Sequence, residues 1–331
     1  MSAVTPATAY LLSLSGLRGV GPAALRQVAQ APDFLDEPLE ALGRRIPKIQ
    51  KALDEDQAWE NAEAFARRQE DQAEDAGARI LSSLDDEYPE LLRKTTDAPF
   101  FLYVRGRLAP NPDHSVAVIG TREPTHHGKL IAERIARFFA EQHWSVVSGL
   151  ALGCDGVAHQ ATLDAQGHTV AILAHGLQTI APSSHRKLAE QILEQGGALV
   201  SEFPFGVKAM GPQFVKRDRT QAGFAQGVVM VQSDVTGGSL HASRAALDYG
   251  RWLAVPFPTE RDIQHAEPKI GANLLLSSGD DAGKAMLLKC KKEKLQYLRV
   301  LKSKDDYPEL LDTNFQGAKS GSHFELNGPL I

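Results

Sequence analysis

The chain has 331 residues, of which 43% are hydrophobic and 23% charged, with a formal net charge of −5 at pH 7. These are the proportions of an ordinary globular protein, long enough for two domains or for one large and one small. The acidic balance counts against a uniformly basic nucleic-acid binder and leaves room for a local basic groove. Two cysteines, Cys154 and Cys290, have no CxxC or histidine-rich surroundings, which excludes a disulfide framework or a structural zinc site. The first residues lack a basic run followed by a long apolar one, so no export signal or membrane span is expected and the expected location is the cytoplasm.

In chain order, residues 1–78 read as a helical unit of helix-hairpin-helix or SAM-like type. Tyr10, Leu11, Leu14, Leu17, Val20, Leu25 and Val28 carry an apolar stripe interrupted by Gly16, Gly19, Gly21 and Pro22. The stretch from Leu17 to Leu25 reads as a tight turn in a small bundle or, less commonly, as a hairpin whose second helix offers its N-terminus to a phosphate. One long polar helix is expected over 48–76. Short strands are expected at 78–82 and 100–104, the second ending at Arg105-Gly106.

From Ser115 the pattern alternates. Strands are expected at 116–119, 145–148, 169–173, 198–201, 228–232 and 252–255. Helices are expected between them at 128–142, 155–166, 184–195 and 240–249. Apolar, β-branched strands alternating with helices define an α/β fold, a Rossmann-like, doubly wound and mostly parallel sheet spanning 79–280. One more packed helix is expected from Gly271. Residues 281–331 read as a lysine-rich extension and a mobile Gly/Ser/Asn-rich tail. The run Tyr88-Pro-Glu-Leu-Leu92 recurs at 307–311, either by chance or as two equivalent docking elements.

Loops at strand ends carry the candidate chemistry. Gly120-Thr121-Arg122, Ser148-Gly149 and Thr236-Gly-Gly-Ser-Leu240 follow strands, where open α/β sheets bind ligands. Exposed amides at such turns, with an arginine beside them, suit a phosphate or nucleotide-like ligand. No metal-ligand spacing and no GxGxxG fingerprint is present, and no cofactor is expected.

Taken in order, these runs resemble the DNA-processing protein A (DprA, or Smf) family. The resemblance rests on Val116-Ala-Val-Ile-Gly-Thr-Arg122, Val147-Ser-Gly-Leu-Ala151, Asp155 with Ala158-His159, Ser201-Glu-Phe-Pro204, Lys216-Arg-Asp-Arg219, Ala222-Gly223, Gly238-Ser-Leu240 and Gly271-Ala-Asn273. It implies a non-enzymatic protein that binds single-stranded DNA, loads the recombinase RecA and forms a homodimer. The DNA-facing positions it implies are Gly120, Thr121, Arg122, Ser148, Gly149, Lys216, Arg217, Arg219, Gly238 and Ser239. Phe203 and Phe214 are candidate base-stacking residues, with core packing the more common role. For Arg217 and Arg219 the alternative is an ion pair with Asp155 or Glu202.

Two departures from the family pattern stand out. Leu152 occupies the place of an arginine, and Asp218 that of an asparagine. No clear winged-helix module is read in the sequence after the α/β region. These departures motivate a second reading, an antitoxin or nucleotide-sensing component of an anti-phage module with a toxin partner. A third reading, a phosphoribohydrolase of the cytokinin-activating type, lacks the glutamate that its Pro-Gly-Gly-x-Gly-Thr loop is followed by.

Overall fold

The computed structural model describes residues 4–109 and 113–312. The chain opens with α1 (Pro6–Gly16), α2 (Pro22–Val28), α3 (Leu39–Arg45), α4 (Pro47–Leu53) and α5 (Ala58–Asp75). Proline stands in the first turn of α1, α2 and α4, where a missing N–H has no partner to lose. The expected long helix over 48–76 is two helices. The acidic residues 54–56 offer no apolar group to the bundle, and Gln57 takes a left-handed backbone (φ 53°) that ends the run. Ile49 and Ala52 of α4 face the N-terminal cluster with Leu11, Leu14 and Leu42, whereas Ala66 and Ala73 of α5 face the sheet with Ile80 and Tyr103.

The rest alternates as β1 (Ala78–Ser82), α6 (Glu90–Arg93), β2 (Phe101–Gly106), β3 (Ser115–Ile119), α7 (His126–Glu141), β4 (Ser145–Ser148), α8 (Cys154–Asp164), β5 (Thr169–Leu173), α9 (Arg186–Glu194), β6 (Ala198–Ser201), α10 (Gly211–Gly223), β7 (Gly227–Met230), α11 (Leu240–Asp248), β8 (Trp252–Pro256), α12 (Glu260–Gln264), α13 (Gly271–Ser278), α14 (Asp281–Leu288) and β9 (Leu298–Leu301). The strands form one nine-stranded sheet in the order β1-β2-β6-β5-β4-β3-β7-β8-β9. It is parallel except where β2 pairs with β1 and β6. The expected Rossmann-like, doubly wound sheet is therefore present.

Alternation along β3 shows how the sheet is covered. Val116 and Val118 face α7 and α8, and Ala117 and Ile119 face α10 and α11. Burial on both faces is the reason these strands are unbroken apolar runs. The lysine-rich segment, read as an extension, supplies the edge strand β9, which pairs in parallel with β8. The last residues, 313–331, lie outside the described residues. Both copies of the repeated pentapeptide bury their tyrosines, but not equivalently. Tyr88 joins the cluster of α10 and α11 and donates to the Pro99 carbonyl (2.5 Å), whereas Tyr307 packs on Phe138 on the opposite face.

Arg251, 8% exposed, ties the C-terminal end of α10 to the sheet. Its guanidinium donates to the carbonyls of Ala222, Gly223 (2.7 Å) and Ala225 (2.5 Å), and to Leu91 of α6 (2.5 Å). The α10 carbonyls among them lie at the helix C-terminus, the negative end of the helix dipole, where intrahelical donors run out. Burial pushes its pKa down to about 10. Replacing Arg251 by Met should cost about 3 kcal/mol, because several buried carbonyls lose their donor together. Urea unfolding measures this; an unchanged midpoint would show that the carbonyls find other partners.

Candidate functional site

The chain runs outward from β3 to β4, β5 and β6 on one side, then crosses back to β7 beside β3. The connections after β3 and β7 diverge to opposite faces, since α7 packs on one and α11 on the other. Such a switch point leaves a crevice at the C-terminal ends of the strands. A cleft of about 460 Å³ lies there, bounded by the loops after β3 and β7, α10 and the first turn of α11.

Arg217 forms the floor and is 5% exposed. Its Nη1 lies 3.6 Å from Asp155 Oδ2, and its Nε lies 3.1 Å from Asp218 Oδ1. Nη1 also donates to the Ile172 carbonyl (3.4 Å). The Gln221 amide, turned with its oxygen inward, accepts from Nη1 (2.7 Å), Nε (3.1 Å) and the Gly149 N–H (3.3 Å). Asp155 accepts from the amides of Gly149 (3.1 Å) and Ala151 (3.4 Å), which fixes the loop after β4 to the first turn of α8. Burial raises the Asp155 carboxyl above its usual range, opposed by Arg217. Burial pushes Asp218 up to about 7, with Asp155 adding to the rise and Arg217 and Arg122 opposing it.

The rim differs in character. Arg122 is exposed and stacks over the half-buried Phe214 ring at 5.2 Å, with Arg217 at 5.8 Å from the same ring. Lys269, on a short turn before α13, reaches across to Glu123 (3.5 Å) and Asp234 (3.9 Å). Asp234 folds the loop after β7 by accepting from the Thr236 amide (2.7 Å) and hydroxyl (2.8 Å). The turn hands the chain into α11 with Gly238 and Ser239 at its start, and α11 has no side-chain cap. The amides of Gly238 and Ser239 have no hydrogen-bond partner among the described residues. A Cβ on Gly238 would meet open space. Uncapped amides at a helix N-terminus favour an anion.

Not every expected position faces this cleft. Gly120, Thr121, Arg122, Arg217, Gly238 and Ser239 line it. Ser148 is buried and donates to the Val118 carbonyl (2.6 Å). Gly149 lies against Arg217, where a Cβ would fall 1.2 Å from Nη1. Gly120 is small because Cys154 Sγ would stand 2.5 Å from its Cβ. Lys216 is exposed on α10 but is not itself a lining residue, and Arg219 pairs with Asp97 rather than Glu202. Phe203, 8% exposed, belongs to the interior. Asn273 is a clamp: it accepts from the Ser233 amide (3.0 Å) and donates to the carbonyls of Met230, Val231 and Pro256. Lys269, Gln221 and Asp234 belong to no motif recognised in the sequence.

A doubly wound, mostly parallel sheet with a cleft at its switch point defines a Rossmann-like α/β protein. The chain belongs to the DNA recombination-mediator protein A family, whose sequence model matches residues 79–294. It is 31% identical over 288 residues to Protein Smf of Synechocystis sp., covering 81% of this chain and 70% of that protein. It is 41% identical over 172 residues to Protein Smf of Escherichia coli, covering 52% of this chain but 46% of that protein, so the match takes in about half of the E. coli relative. The structure of DNA processing protein A from Helicobacter pylori, described for its single-stranded DNA binding mode, superposes with a TM-score of 0.53 at 26% identity, covering 65% of this chain and 97% of that one. DprA from Streptococcus pneumoniae shares the fold, with a TM-score of 0.61 at 24% identity over 83% of this chain and 98% of that one.

Gly149→Ala should displace Arg217, since the added carbon and the guanidinium cannot share the space. The expected loss is about 2 kcal/mol, typical of overpacking a close-packed site. Chemical denaturation checks it, and a variant as stable as the parent would show that the floor is pliable.

Proposed function

We propose that the cleft binds the backbone of single-stranded DNA and that the protein is a DNA-handling binding protein of DNA processing and recombination rather than an enzyme. The observation that carries this is that the Phe214 ring, with Arg122 at 5.2 Å and Arg217 at 5.8 Å from its centre, lines the same cleft as the open amides of Gly238 and Ser239. Phosphates suit the cations and amides, and a base suits the aromatic face. The H. pylori relative's single-stranded DNA binding supports the same reading. Loading of a recombinase such as RecA onto the bound strand, by a homodimer in the cytoplasm, extends it.

The carboxylates favour binding over hydrolysis. Asp155 is engaged by two amides and Arg217, and Glu202 accepts from Thr220 (3.1 Å) outside the lining of the cleft. Glu202 is therefore out of reach of a ligand in the cleft, and Asp155, although it lines the cleft, has its Oδ2 taken up by Arg217 and two amides rather than free to act as a general base. The relatives lend no support to the antitoxin alternative.

Fluorescence anisotropy of a labelled oligonucleotide tests the proposal. Arg122→Ala combined with Lys269→Ala should weaken binding for every sequence and lower the salt slope by about 1.4, from about 0.7 per phosphate contact on single strands. An unchanged affinity and slope would refute the site.

Asp218 sets the pH dependence. Its proton is held more tightly in the folded protein than in the unfolded chain, so it is neutral below about pH 7 and charged above. The sign follows: DNA affinity should fall as pH rises through 7, and folding stability should fall as pH rises from the ordinary carboxylate range toward 7. Asp218→Asn should flatten the affinity profile between pH 6 and pH 8. A profile of the same shape in the variant would assign the titration elsewhere.

A further inference from the structure

The cleft does not end at the first turn of α11. His241 lines it, and Arg244, one turn further along the same helix, donates through Nε (3.2 Å) and Nη2 (2.9 Å) to the Leu287 carbonyl near the end of α14. That bond fixes the end of α14 beside α11. Two residues on, Lys289 takes a left-handed backbone (φ 51°) that turns the chain outward, and Lys291 and Lys292 follow on the surface. Lys289 and Arg244 are close enough to His241 that, together with burial, they hold its imidazole below the usual range. The segment 284–304 contains Lys284, Lys289, Lys291, Lys292, Lys294, Arg299, Lys302 and Lys304 against Glu293 alone. Lys294 is paired with Asp248 (2.6 Å), whereas Lys289, Lys291 and Lys292 are exposed and form no ion pair among the described residues.

A concentrated cationic surface on a chain of net charge −5 is a local field, and it begins where the cleft ends. We propose that the surface formed by Arg244, Lys289, Lys291 and Lys292 is a second contact for the polynucleotide, a track that carries the strand's phosphates away from the cleft along α11 and over the end of α14. This rests on the cleft being the primary single-stranded DNA site. The track contributes electrostatically and without base readout, since it presents lysine and arginine and no exposed aromatic side chain between them.

The track makes affinity depend on strand length. Oligothymidylates of about six and about twenty nucleotides separate the two regions, the shorter occupying the cleft alone. In the full chain, the triple variant Lys289→Glu, Lys291→Glu, Lys292→Glu should bind the short strand as the parent does. It should lose about tenfold or more on the long strand, with a salt slope lower by about 2, from about 0.7 per lost contact. The corresponding Lys→Gln triple variant, expected to lose less on the long strand only, guards against misfolding. Equal losses on both lengths, as a general change of net charge produces, would overturn the track, and so would no loss on either. Absence of binding to either strand by the parent protein would instead remove the cleft reading, and the track with it.

Discussion

A guanidinium withdrawn from water must be surrounded by acceptors, and Arg217, 5% exposed, imposes that demand on the centre of the molecule. Asp155, Asp218, Gln221 and the Ile172 carbonyl meet it. They come from α8, α10 and the end of β5, so one cation fastens elements that the chain supplies far apart. The contact also dictates a residue that makes no polar side-chain interaction at all: Gly149 is bare because the guanidinium occupies the space of its side chain. The loop after β4 is held on the same cluster through the amides bound to Asp155.

This has a consequence for the charge of the cleft. The floor holds Arg217 with two carboxylates, so its attraction for an anion is small unless Asp218 carries a proton. The pull on a phosphate comes from the rim, from Arg122, Lys269 and the uncapped start of α11. Lys269 is shared between Glu123 and Asp234, an exposed arrangement that an incoming phosphate can exchange for a direct contact at little cost. A rigid, nearly neutralised floor beneath an adaptable cationic rim suits a strand that is gripped by its backbone and passed on.

Much of this was legible in the sequence, for a physical reason. Strands β3 to β8 are buried on both faces, so they are short runs of Val, Ile, Leu and Ala between turns, and they can be placed to within a residue or two. Helix α10 was not legible as a helix, because its buried residues are Arg217, Thr220, Gln221, Ala222 and Gly223, so no stripe of large apolar side chains marks its inner face. The edge strand β9 was hidden among lysines, where half-buried Leu298 and Val300 give a weak pattern. The family motifs bring six of the ten expected positions to the cleft lining, but they do not show the part each residue plays. Ser148, Gly149 and Gly120 lie at strand ends and serve packing, whereas Lys269, outside every motif, stands at the rim on the turn before α13, which Asn273 clamps to the loop after β7.

The central claim is that the strand lies on the switch-point cleft. Backbone amide shifts of the labelled protein, followed by NMR during titration with a short single-stranded oligonucleotide, test it most directly. The account predicts that the largest changes fall on Thr121, Arg122, Gly238 and Ser239, with smaller ones along the first turn of α11. Changes confined to the helices before β1, with those four amides unmoved, would contradict it.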